Sequence, residues 1–79
     1  MTAARGGRLG WDAYRRSVAW MAQARRDAKM SQAELGRLLG WGPGWVTTRE
    51  TGATRMTRDE VVAVASALGT AVPDLGGTR

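Results

Sequence analysis

Apolar residues recur along this chain at helical spacing, with no alternating strand pattern and no internal repeat. Between Trp11 and Ala28 the helical spacing picks out Tyr14, Val18, Met21, Ala24 or Arg25, and Ala28, which defines the inner stripe of a first helix starting near Trp11 or Asp12. Trp20 lies off that stripe, and its size favours packing at the edge of the core over exposure. Ala33, Leu35, Leu38 and Leu39 give a second, shorter helix its apolar side. Met30, Ser31 and Glu34 mark its start. Ser31 is a good N-cap, Glu34 follows at the spacing of a capping box, and Gly40 ends the helix.

The same reading predicts a third helix from Gly42 or Pro43 to Gly52, in which proline is tolerated at the first helical position because its missing N–H has no partner there. Gly44 costs that helix about 1 kcal/mol of propensity relative to alanine. After a loop over 53–56, Thr57 caps a fourth helix whose first turn carries Asp59 and Glu60, where the helix dipole favours acids. Val61, Val62, Val64, Ala65 and Leu68 are its apolar positions, and Gly69 closes it. Residues 70–75 read as one more turn. The expectation is an all-α domain over residues 11–75, compact and five-helical if that last turn counts. A Gly/Arg-rich flexible basic arm over 1–10 precedes it and a short tail over 76–79 follows.

Composition narrows the chemistry. A chain of 79 residues supports one modest core. It has no cysteine and no histidine, which removes disulfides, thiolate metal sites and the commonest general base. No nucleophile–base pair, metal cluster or phosphate loop can be assembled from what remains, so a binding protein without cofactor is expected rather than an enzyme. No apolar run approaches a membrane span and the amino terminus does not read as a signal peptide, so a cytoplasmic protein is expected. The net charge of +5 is concentrated in residues 1–29, where Arg5, Arg8, Arg15, Arg16, Arg25, Arg26 and Lys29 face only Asp12 and Asp27. Such an excess suits a polyanion, although a solvated basic face has the same signature. High Arg, Ala and Gly with a single Lys suggests a GC-rich genome, such as that of an actinobacterium or its phage.

The stretch SQAELGRLLGWGPGWVTTRETG, residues 31–52, reads as helix, tight turn, helix and stop, with Gly36, Gly40 and Val46 available where two helices must cross closely. SQAEL at 31–35, LG at 39–40, Val46, the E-x-G of 50–52, and SALG at 66–69 followed by Val72 and Leu75 together resemble the lambda-type repressor and Cro family, also called the Xre family. The likeness covers roughly residues 18–75.

It implies named roles. Ser31 and Gln32 would clamp a phosphate at a helix N-terminus. Gly42, Pro43, Gly44, Trp45 and Thr48 would face the groove floor, with Thr47, Thr51, Thr54 and Arg55 along the flanking backbone. Arg25 would pair with Glu50, bridging the first and third helices. Val72 to the carboxyl end would be the dimer surface.

The chain also departs from that family. Its recognition helices usually present polar side chains that read base edges, whereas Gly42 and Gly44 have no side chain and Pro43 has no donor. The glycines would instead allow close backbone approach and readout by shape. Arg49 replaces a usually apolar residue, and two orientations are open: outward to a phosphate, or with its stem over the core and its head in water. Trp45 either lies against thymine methyl groups or a sugar edge, or packs on Trp41 and the second helix. Trp41 reads as core.

The reading that follows is a Cro-like transcriptional regulator, encoded by a phage or mobile element. It would bind a pseudo-palindromic operator on double-stranded DNA as a homodimer, with no small-molecule ligand. The alternative is an antitoxin or antirepressor, a protein-interaction module that kept the fold and lost base readout.

Overall fold

A computed structural model describes residues 8–75; the first part of the expected arm and the whole expected tail lie outside the described residues. Helices α1 (Trp11–Asp27), α2 (Gln32–Leu39), α3 (Trp45–Glu50) and α4 (Arg58–Leu68) follow in order. No strand occurs among the described residues, only an isolated antiparallel bridge between Arg8 and Thr57.

Local chemistry sets most of the helix ends. Ser31 Oγ accepts the Glu34 N–H at 3.0 Å while Glu34 accepts the Ser31 N–H at 2.7 Å, which closes the expected capping box on α2. Thr57 and Glu60 form the same reciprocal pair on α4, at 3.1 and 2.9 Å. At the other end of α1 the chain leaves through Lys29, a non-glycine residue at φ 61°. There the Met30 N–H reaches the Arg25 carbonyl at 3.0 Å, the backbone pattern of a Schellman cap.

Two expected boundaries change. The third helix does not begin at Gly42 or Pro43. Gly42 has φ +97°, a left-handed conformation that no helix continues through, and α3 starts at Trp45 with Gly44 as its N-cap. The fifth turn is not present either. Residues 70–75 carry no helix, consistent with Pro73, which biases the residue before it away from helical backbone. That segment is instead pinned by a bond from Arg16 Nη1 to the Leu75 carbonyl at 2.6 Å.

The core lies where the four helices meet. It consists of Leu9, Tyr14, Met21, Leu35, Val46, Met56, Val61, Val64 and Leu75. Leu9 was expected in the flexible arm and is buried; its N–H donates to the Met56 carbonyl at 2.8 Å, so residues 8–10 belong to the folded domain. Met56, expected only as loop, is fully buried. On α1 the buried positions are Tyr14, Ser17 and Met21, while Val18 and Ala24 are half-buried and Ala28 is exposed. The inner stripe is therefore rotated towards Ser17, whose hydroxyl is satisfied by the Tyr14 carbonyl at 2.7 Å. Leu38 and Val62, expected to face inward, are about half exposed.

Gly36 controls how α2 meets the turn. It is buried, its carbonyl accepts the N–H groups of Trp41 (3.0 Å) and Gly42 (3.2 Å), and a Cβ there would overlap the Gly42 carbonyl oxygen. Only glycine allows the turn to fold back this closely, and that approach fixes the direction in which α3 leaves.

Candidate nucleic-acid interface

Three ties hold α3 on the scaffold. On its inner side Val46 is fully buried, and the Tyr14 hydroxyl donates to the Arg49 carbonyl from α1. At its carboxyl end Glu50 accepts from Arg25 Nε at 3.3 Å, with both side chains almost nine-tenths buried. Arg25 also donates to the Met30 carbonyl at 3.0 Å, so one guanidinium joins α1, the α1–α2 link and α3. Gln32 completes the arrangement: its Nε2 donates to Glu50 at 2.6 Å and its Oε1 accepts from Thr47 at 3.1 Å. A buried carboxylate facing a polyanion would be costly alone; here Arg25 neutralises it and Gln32 helps to orient it.

The third tie is not visible in the local sequence. Arg49 takes neither of its two expected orientations. Its Nη2 pairs with Glu60 of α4 at 3.1 Å, its side chain is only 14% exposed, and its guanidinium lies 4.6 Å from the centre of the Trp45 ring. Its Nε is buried without a hydrogen-bond partner. Both expected orientations of Arg49 are corrected accordingly: its guanidinium is paired with Glu60, eleven residues on. Trp45 is half-buried, packs against the core and meets the Trp41 ring at 4.5 Å between centroids, tilted by 53°. Trp41, expected in the core, is the more exposed of the two, at 41%.

The remaining predicted residues distribute around this frame. Pro43 and Gly44 are exposed on the turn that enters α3, and Gly42 is half-buried behind them. Thr47, Thr48 and Thr51 are exposed along α3 and its end. The Thr48 hydroxyl donates to the Trp45 carbonyl at 2.8 Å and accepts from Arg49 at 3.1 Å. Thr51 donates to the Thr48 carbonyl at 3.4 Å. Exposed Ser31 opens α2 beside half-buried Gln32, and half-buried Thr54 lies in the α3–α4 loop. Arg55 stacks 4.5 Å above the Trp11 ring and donates to the Leu9 carbonyl at 3.2 Å.

Two residues at this surface were not assigned to it by the sequence. Arg8 donates to the Arg55 carbonyl at 3.3 Å, so cations 47 positions apart gather at the edge of the α3–α4 loop. Trp41 is the other, since its neighbours in sequence gave no sign that it projects. Pairing of Leu9 with Met56 places the first, and the Trp41–Trp45 contact places the second.

Two short helices joined by a tight glycine turn, the second held across the first with an exposed outer face, constitute a helix-turn-helix unit. A family model described as a helix-turn-helix domain matches residues 18–75. The chain belongs to that family, whose members are DNA-binding domains. No curated protein and no solved structure matches the chain. No helix among the described residues is long and apolar enough to cross a membrane, and no group of candidate metal ligands occurs among them.

Proposed function

We propose that this chain is a sequence-specific transcriptional regulator of the Cro type. In this reading α3 enters the DNA major groove, and a homodimer binds a pseudo-palindromic operator in the cytoplasm of a cell or host carrying a phage or mobile element. The observation that carries it is the anchoring of α3. Gly36, the Arg25–Glu50–Gln32 network and the Arg49–Glu60 pair fix that helix from three sides, while Pro43, Gly44, Thr47, Thr48 and Thr51 stay exposed. Rigid presentation of one short helix is what groove insertion requires.

Ser31, Thr47, Thr51, Thr54, Arg55 and Arg8 then lie along the flanking backbone; the Thr47 and Thr51 hydroxyls would exchange their bonds to Gln32 and to the Thr48 carbonyl for phosphate oxygens. Gln32 serves twice, bracing Glu50 and keeping a second amide N–H for a phosphate. One α3 spans only a few base pairs, so two copies at half-sites one helical turn apart supply the specificity. Leu75 is buried within the protomer, and exposed Val72 is the apolar group that the expected dimer segment offers to a partner copy.

A mobility shift with fragments of the source genome tests this reading. One or a few fragments should be retained over excess bulk competitor at moderate salt. Uniform binding, or none, would overturn specific regulation. The antitoxin or antirepressor reading draws on one observation, that the turn entering α3 presents Gly42, Pro43 and Gly44 and no polar reader. It predicts stable capture of a protein partner with unselective DNA binding.

A further inference from the structure

We infer that Trp41 reads DNA, by seating its exposed indole against a pyrimidine 5-methyl group in the major groove, thymine being the base so recognised. The inference deepens the regulator reading and rests on it.

A helix-turn-helix unit meets base edges with the N-terminal end of its second helix. In this chain the turn entering that helix carries no polar side chain: Gly42 and Gly44 end at the backbone, and Pro43 offers only an apolar ring. The first polar groups, the Thr47 and Thr48 hydroxyls, already donate to Gln32 and to the Trp45 carbonyl. Large side chains there are therefore confined to Trp41 and Trp45. Trp45 is half-buried and occupied, with Trp41 on it at 4.5 Å and Arg49 4.6 Å from its ring centre. Trp41 is 41% exposed, immediately before the glycine turn.

The indole is also held. Trp41 rests on Trp45, Trp45 is pinned by Arg49, and Arg49 is fixed by Glu60 at 3.1 Å. A braced aromatic face has little rotamer freedom left to lose on binding, so contact costs less entropy. The chemistry such a face can distinguish is apolar: in the major groove, thymine alone among the four bases offers a methyl group. The protein's charge of +5 supplies the general attraction that brings this apolar surface to a polyanion.

The test starts from the whole chain and a duplex selected by it from random DNA. Each thymine is then replaced in turn by deoxyuridine, which removes only the methyl group, and affinity is read by fluorescence anisotropy. Wild-type protein should lose about fourfold at one or two thymines per half-site, the value expected for one buried methyl. Trp41→Ala should bind the thymine and uracil duplexes equally, while Trp41→Phe keeps part of the difference. The uracil series uses unaltered protein, so it stands even if a variant folds poorly. Failure to select any sequence overturns the regulator reading and this inference together. A selected half-site without thymine, one indifferent to every uracil, or an undiminished ratio in Trp41→Ala overturns the inference alone.

Discussion

Lys29 occupies a left-handed backbone position at φ 61° as the chain leaves α1, where a side chain costs roughly 1 kcal/mol. Lys29→Gly should relieve that cost. After the extra freedom of the unfolded chain is deducted, a gain of about 0.5 kcal/mol remains, or a few degrees in a thermal melt. A lower melting temperature would show that Lys29 makes a contact that outweighs its backbone. The Arg25–Glu50 pair lies on the opposite side of the balance. Removing Arg25 leaves a buried carboxylate with only Gln32 as donor, so Arg25→Ala should lose about 3 kcal/mol in urea unfolding. The double variant Arg25→Met/Glu50→Leu should recover most of that loss, since no charge is then stranded. Equal losses in the single and double variants would refute the argument. Arg25 and Glu50 were nameable in advance through the family resemblance. Arg49 was not, because its partner is on another helix and nothing beside it in sequence announces a buried carboxylate.

Helix ends were the most legible elements. Ser31 with Glu34 and Thr57 with Glu60 are local signals three residues apart, and the structure forms both capping boxes. Ser31→Ala and Thr57→Ala should each remove about 1 kcal/mol of stability, measured by chemical denaturation. The start of α3 was misread because proline and glycine are compatible with either a first helical turn or a tight turn. What decides is tertiary: the Gly42 N–H is taken by the Gly36 carbonyl at 3.2 Å, and its positive φ follows from that closure. Gly36→Ala is the sharp test of this element. Its methyl would collide with backbone rather than with a side chain that can move aside. The expected loss is about 2 kcal/mol or more, with weakened DNA binding as α3 is displaced. A fully stable variant would mean that the turn is looser than its hydrogen bonds indicate.

At the scale of the molecule, segments far apart in sequence are fastened to one core. Leu9 enters it beside Met56, and Leu75 enters it under the Arg16 clamp. Neither was readable as core: Leu9 sits in a glycine-rich stretch, and the Arg16–Leu75 contact spans 59 positions. Leu9→Ala should therefore cost about 2 kcal/mol, whereas a true flexible arm would tolerate it without change in the melt. The basic excess of the first third gains a location through Arg8, beside Arg55. Arg8→Ala and Arg55→Ala should each weaken binding to all duplexes alike and flatten the dependence of log K on log salt by about one. Unchanged slopes would remove both from the phosphate contacts. The chain of contacts from Trp41 through Trp45 and Arg49 to Glu60 also bears on transplantation. Changing the target of such a protein usually means copying a short recognition segment onto a new host. Here residues 41–49 moved alone would bring an arginine into a host core with no acid waiting for it, and the graft would fail for want of a residue on a different helix. The portable unit is the segment together with Glu60, and successful exchanges between relatives should carry both or neither.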